Sequence, residues 1–89
     1  MIKRENESVK LEFGTGDICV AGGYIEQEKG YKIGVVIFAN QEPREIGSPG
    51  IIKAGEVNLD DYPVVMTFSK KESIDVVIRK LEEAKSFME

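Results

Sequence analysis

Eighty-nine residues suit one domain, near the size at which a single apolar core only just suffices. Hydrophobic residues make up 42% and charged residues 31%, as in an ordinary soluble globular protein. The formal charge of −4 is spread without a like-charge block, and histidine is absent. This argues against duplex nucleic acid as a partner and removes the commonest general base and transition-metal ligand.

In chain order, residues 1–7 are polar and read as a loose leader without the apolar stretch of a signal peptide. Ser8 to Phe13 alternates, with Val9, Leu11 and Phe13 on one face and Lys10 and Glu12 on the other, which predicts a half-buried strand. Gly14-Thr15-Gly16-Asp17 reads as a hairpin turn into a returning strand over 18–21. Gly22-Gly23 is expected to interrupt that strand as a bulge, a kink or a close approach of another backbone. It resumes at Tyr24 and Ile25 and turns at Glu28-Lys29-Gly30.

Tyr31 to Ala39 is the longest strand candidate, with Ile33, Val35 and Ile37 on one face and Val36 and Phe38 on the other. A strand apolar on both faces is normally covered on both. One helix can cover one face, so the second calls for the 51–62 segment, a curled sheet or another copy of the chain. A homodimer is therefore expected. Asn40 to Gly50, NQEPREIGSPG, has no periodicity, and Ile51 to Glu56 reads as a short strand or turn. Asp60-Asp61-Tyr62 is a turn placed before Pro63.

A strand is expected from Pro63, which opens it where a missing N–H does least harm, through the β-formers Val64, Val65, Met66 and Phe68, and Ser69 with Glu72 three residues on makes a capping box ahead of a helix over 70–88. Ile74, Val77, Ile78, Leu81, Ala84 and Met88 form its apolar stripe, and Asp75 precedes Arg79 by four as a helical ion pair. The five basic and five acidic residues from Lys70 to Glu89 cancel, which excludes a basic membrane or nucleic-acid helix. No apolar run approaches the roughly 20 residues of a membrane span. The class expected is α+β: a single domain, mainly β over 8–69, with an antiparallel meander of about five strands. The sheet is flat, curled or barrel-like, with the C-terminal helix packed on it.

Catalytic signatures are missing. Cys19 lies between Ile18 and Val20 and reads as a small buried hydrophobe, not a nucleophile. One cysteine makes no internal disulfide and points to a reducing cytoplasm. Gly14-x-Gly16 lacks the third glycine of a dinucleotide fingerprint and precedes a strand instead of a helix. Asp60 and Asp61, with Glu56 and Asn58, do not have the spacing of a calcium loop. Neither a metal nor a cofactor is expected.

The remaining candidate is the loop at the end of the central strand. Asn40, Gln41, Arg44, Gly47, Ser48, Gly50 and Lys53 gather donors and flexible backbone, with Pro43 and Pro49 stiffening them. Arg44 suits a carboxylate or phosphate, and Gly-Ser-Pro-Gly can turn amides inward around an anion. The competing reading is a plain surface connection anchored by Ile46. Tyr24, Tyr31 and Tyr62 belong to the sheet rim or core. Two functions follow, neither enzymatic. One is an inhibitor or adaptor module that binds a protein partner by occupancy. The other is a protein that holds a small anionic ligand such as a nucleotide in the 40–53 loop.

Overall fold

The computed structural model describes residues 1–52, 55 and 57–88. The elements are β1 (Ile2–Glu5), β2 (Ser8–Leu11), β3 (Ile18–Glu26), β4 (Lys32–Asn40), β5 (Val64–Phe68) and α1 (Lys71–Ser86), with 3₁₀ turns at Glu28–Gly30 and Leu59–Asp61. β1 pairs with β2, and β3, β4 and β5 form a second sheet in that order. Both sheets are antiparallel and neither closes into a barrel, so the α+β class holds and the barrel-like option does not. The chain divides into two compact units, Met1–Gly22 with Val36–Met66 and Gly23–Val35 with Thr67–Glu89.

In the first unit, the leader expected at 1–7 is a strand instead. Ile2 faces Leu11 and Glu5 faces Ser8 across a two-residue turn in which Asn6 takes φ 54°. Asparagine tolerates this left-handed geometry better than most residues. The partner that closes on Ser8–Leu11 is thus the segment before it, and the hairpin expected through residues 14–17 does not form. Two exposed ion pairs flank the backbone ladder of β1 and β2. Lys3 Nζ lies 2.7 Å from Glu12 Oε1 and Lys10 Nζ 3.6 Å from Glu5 Oε2, all four side chains being about half exposed.

The hydrogen bond from Lys3, and then its charge, hold the Glu12 carboxyl below its ordinary value, while the same contact raises the Lys3 ammonium. The Glu12 contribution is therefore complete above the unfolded-state carboxylate range and is lost as the pH falls through the lowered folded value. The Lys3 contribution is complete below the ordinary lysine value and is lost as the pH rises through the raised folded one. The protection of the β1–β2 amides against hydrogen exchange, taken relative to the intrinsic rate at each pH, should fall on acidification below the carboxylate range, by a modest factor because exposed pairs are weak. Glu12→Gln should remove that acid step; an unchanged step would discard the pair as its source.

The rest of the first unit is built on the β3 start and the β4 end. Ile18, Cys19, Ile37 and Phe38 are buried there, and the Phe13 ring meets Phe38 edge-on with centroids 6.3 Å apart. β4 is buried on both faces, since Val35 and Ile37 alternate with Phe38. That burial exists within one chain, while Ile33 and Val36 on the same two faces are half-buried. β3 runs uninterrupted through Gly22-Gly23, and a Cβ built at either glycine meets nothing within 4 Å. The expected interruption is absent, and so is a close backbone approach. Ile51, Ile52 and Gly55 are not in a strand, and Lys53, Ala54 and Glu56 lie outside the described residues.

In the second unit the Tyr31 hydroxyl donates to the Ser69 carbonyl at 3.2 Å, and Ile74 Cδ1 lies 3.4 Å from where a Gly34 Cβ would stand. Gly34 thus lets the first turns of α1 sit down on β4. The expected capping box does not form. Lys70 remains extended and is the N-cap without a side-chain cap bond, so Glu72 is the second helical residue instead of the third. It still places an acid in the first turn, where the helix dipole favours one. The ion pair seen on α1 is Lys80 with Glu83 at 3.1 Å, and the expected Asp75–Arg79 pair is not among the ion pairs of the described residues. Ile74 and Val77 are half-buried, but Ile78, Leu81, Ala84 and Met88 on the same stripe are exposed, Leu81 by 65%. Among the described residues no helix is long and apolar enough to cross a membrane.

Candidate functional site

The 40–50 segment is tied to the chain ahead of β3 by a set of hydrogen bonds within the first unit. Gln41 N–H donates to the Asp17 carbonyl at 2.9 Å, and Gln41 Nε2 and the Arg44 N–H donate to the Gly16 carbonyl at 3.0 and 3.2 Å. Gly16 has φ +71°, and a Cβ built there would lie 1.7 Å from the Arg44 carbonyl oxygen. Only glycine permits this crossing of backbones. At the far end of the loop, Gly50 lies against Cys19, whose Sγ stands 2.3 Å from a Cβ built on Gly50.

Between these two anchor points the loop turns at Glu45–Ser48. The Ser48 N–H donates to the Glu45 carbonyl at 3.0 Å and Gly47 takes φ +92°, the positive φ that a type II turn needs at its third residue. The turn pushes Ile46, its second residue, into solvent, so Ile46 is not the buried anchor expected of a plain connection. A cleft of about 500 Å³ results, bounded by Phe13, Gly14, Gly16 and Asp17, the β3 start Ile18 to Val20, Gln41, the Glu45–Ser48 turn and Gly50. Its size is that of ligand clefts, roughly 300–1,000 Å³. Phe13, Val20 and Ile46 around it are 60%, 52% and 71% exposed.

Of the seven residues that sequence singled out, Gln41, Gly47, Ser48 and Gly50 line this cleft. Asn40 does not; its Oδ1 accepts the Ile2 N–H at 2.8 Å and ties β1 to the end of β4. Arg44 does not either, and its Nη1 donates to the Pro49 carbonyl at 2.9 Å, so the guanidinium braces its own loop. Lys53 lies outside the described residues. The Ser48 amide and hydroxyl both serve the Glu45 carbonyl, the latter at 2.6 Å, so they do not turn toward an anion.

The charged groups that do line the cleft are the carboxylates of Asp17 and Glu45. Asp17 Oδ1 lies 3.0 Å from the Met1 amino nitrogen, whose hydrogen bond holds its carboxyl below the ordinary range. The Gln41 Oε1 is buried and without a hydrogen-bond partner among the described residues.

Sequence reasoning missed Phe13, Gly14, Gly16, Asp17, the β3 start Ile18 to Val20, Glu45 and Ile46 as lining residues. The available signal was the Gly14-x-Gly16 pair, which reads equally well as a hairpin turn. Asn58 Oδ1 accepts the Asp60 N–H at 3.0 Å and is used within its turn. No cluster of three or more potential metal ligands occurs among the described residues. The chain matches no family model, no curated protein and no solved structure.

Proposed function

We propose that this protein is a non-catalytic binding module that acts by occupancy on a protein partner, in the manner of a small inhibitor or adaptor. The observation that carries the reading is the rim of Phe13, Val20 and Ile46, three large apolar side chains standing exposed around one cleft. Scattered exposed hydrophobes are ordinary, but a rimmed group at a concavity is the usual mark of an interaction site. The uncovered stripe of Ile78, Leu81 and Met88 on α1 supports the same reading from the second unit. Because β4 is covered within one chain, the partner proposed is a different chain, and light scattering should give the mass of a single protomer. The free, buried Cys19 suits a reducing compartment, and the cytoplasm is the location proposed.

Capture with immobilised protein from lysate of the native host should retain a partner that Ile46→Glu releases. Ile46 is exposed, so the substitution should leave unfolding unchanged. Capture of the same proteins by both forms, or of none, would count against the reading.

The alternative is a small ligand held by the 40–53 loop, favoured by the size of the cleft alone. An anion such as a nucleotide finds little help in it, since Arg44 is turned to Pro49 and the charged lining is acidic. A nucleotide panel that raises the melting temperature would restore this alternative.

A further inference from the structure

We infer that the outer edge of β3 at Val20–Gly22 accepts an extended, basic and apolar peptide segment of the partner, which adds a strand and sets a side chain into the cleft. The inference rests on the protein-partner reading and names the surface and chemistry it would use.

Three observations converge. First, β3 is the terminal strand of its sheet, with β4 on one side only. The bond from Gln41 N–H to the Asp17 carbonyl sets the phase of the ladder. Antiparallel pairing then turns alternate residues toward β4, so Ile18, Val20 and Gly22 direct N–H and C=O outward. Gly16 has the same phase, and its carbonyl is the one taken by the Arg44 N–H and Gln41 Nε2. Beyond Gly16 that pairing stops. Ile18 is buried, but Val20 and Gly22 are exposed, and their outward groups make no hydrogen bond to another described residue outside the sheet. An unpaired edge free of proline and charge is a template for another strand.

Second, the cleft is lined by Ile18, Cys19 and Val20 in succession. Neighbouring strand residues point to opposite faces, so a cleft that meets all three meets the strand along its edge. An added strand would therefore lie beside the cleft and could fill it with an alternate side chain, against Phe13 and Ile46.

Third, the formal charge of −4 belongs wholly to this unit, which holds nine acidic and five basic residues, whereas the other holds seven of each. Among the described charged residues, Asp17 and Glu45 line the cleft, both acidic. A partner segment with lysine or arginine between its apolar residues complements this surface, and an acidic one is repelled.

The test uses a fluorescent, end-blocked peptide of alternating valine and lysine, titrated against the full chain by anisotropy. Saturable binding is expected. A copy N-methylated at the amides of one edge should bind about tenfold weaker, because it cannot complete the ladder. The same peptide with glutamate in place of lysine should also be weaker.

Val20→Pro removes an outward N–H while sparing the β4 ladder, and should weaken the valine-lysine peptide to a similar degree. If that variant does not unfold cooperatively, the N-methylated peptide against the unaltered chain decides alone. Absence of saturable binding, or equal binding of the N-methylated peptide, overturns the inference. So does a dimer by light scattering that Val20→Pro splits, since the occupant would then be a second copy. A captured partner released by Ile46→Glu but kept by Val20→Pro would sink the edge and leave the broader reading standing. A protein that captures nothing fails the broader reading on its own terms.

Discussion

Gly16→Ala should destabilise the protein by about 3–5 kcal/mol, the range of the most damaging single substitutions. Two costs add. An L-residue at φ +71° in the left-handed region loses roughly 1–2 kcal/mol. The new methyl would also stand 1.7 Å from the Arg44 carbonyl oxygen, a backbone atom that cannot swing aside as a side chain can. Relief requires the loop to lift, which breaks the bonds from the Arg44 N–H and Gln41 Nε2 to the Gly16 carbonyl, each worth about 1 kcal/mol.

Total stabilities of small domains run to only about 5–15 kcal/mol, and the buried core here is Ile18, Cys19, Val35, Ile37 and Phe38. Urea unfolding should show the loss as a lowered midpoint at unchanged slope. Gly30→Ala is the control. Gly30 has φ +76°, close to that of Gly16, but a Cβ there meets nothing within 4 Å, so only the backbone cost of roughly 1–2 kcal/mol applies. Equal damage from both substitutions would refute the crossing of backbones as the cause.

That crossing also marks where sequence reading stops. Runs with a period were legible: Tyr31–Ala39 against Lys32–Asn40 in the structure, a strand expected from Pro63 to Phe68 that spans Val64–Phe68, and a helix expected over 70–88 that spans Lys71–Ser86. β1 was not legible, because Lys3, Arg4 and Glu5 carry no apolar alternation. The capping box failed by one residue. Whether Ser69 or Lys70 is the N-cap turns on the extended backbone of Lys70 beside a Ser69 carbonyl already engaged by Tyr31, a tertiary fact. In the candidate site, aperiodicity located the loop, but not the direction of its donors. Arg44 and Ser48 look outward as letters and are spent on Pro49 and Glu45 as side chains. The cleft's other wall lies more than twenty residues away, at Phe13 to Val20, and nothing local announces that meeting.

The second large effect is expected at the far anchor of the same loop, where Gly50→Ala and Cys19→Ala should prove strongly coupled. A Cβ on Gly50 would lie 2.3 Å from Cys19 Sγ and 3.3 Å from Cys19 Cβ. Cys19 is 2% exposed, so its thiol has little room to rotate away, and overpacking of this kind costs typically about 1–3 kcal/mol. Cys19→Ala alone leaves a small void and should cost about 1 kcal/mol. It also removes the sulfur with which the new methyl collides, leaving the 3.3 Å Cβ contact, which a shift of a few tenths of an ångström relieves. The double variant should therefore be more stable than Gly50→Ala alone, and the two single costs should fail to add by about 1 kcal/mol or more. Melting curves of the four proteins supply the cycle, since 1 kcal/mol moves the midpoint of a domain this size by about 4–8 °C. Additive losses would mean that the Gly50 backbone does not rest on the thiol, and would detach that end of the loop from the start of β3.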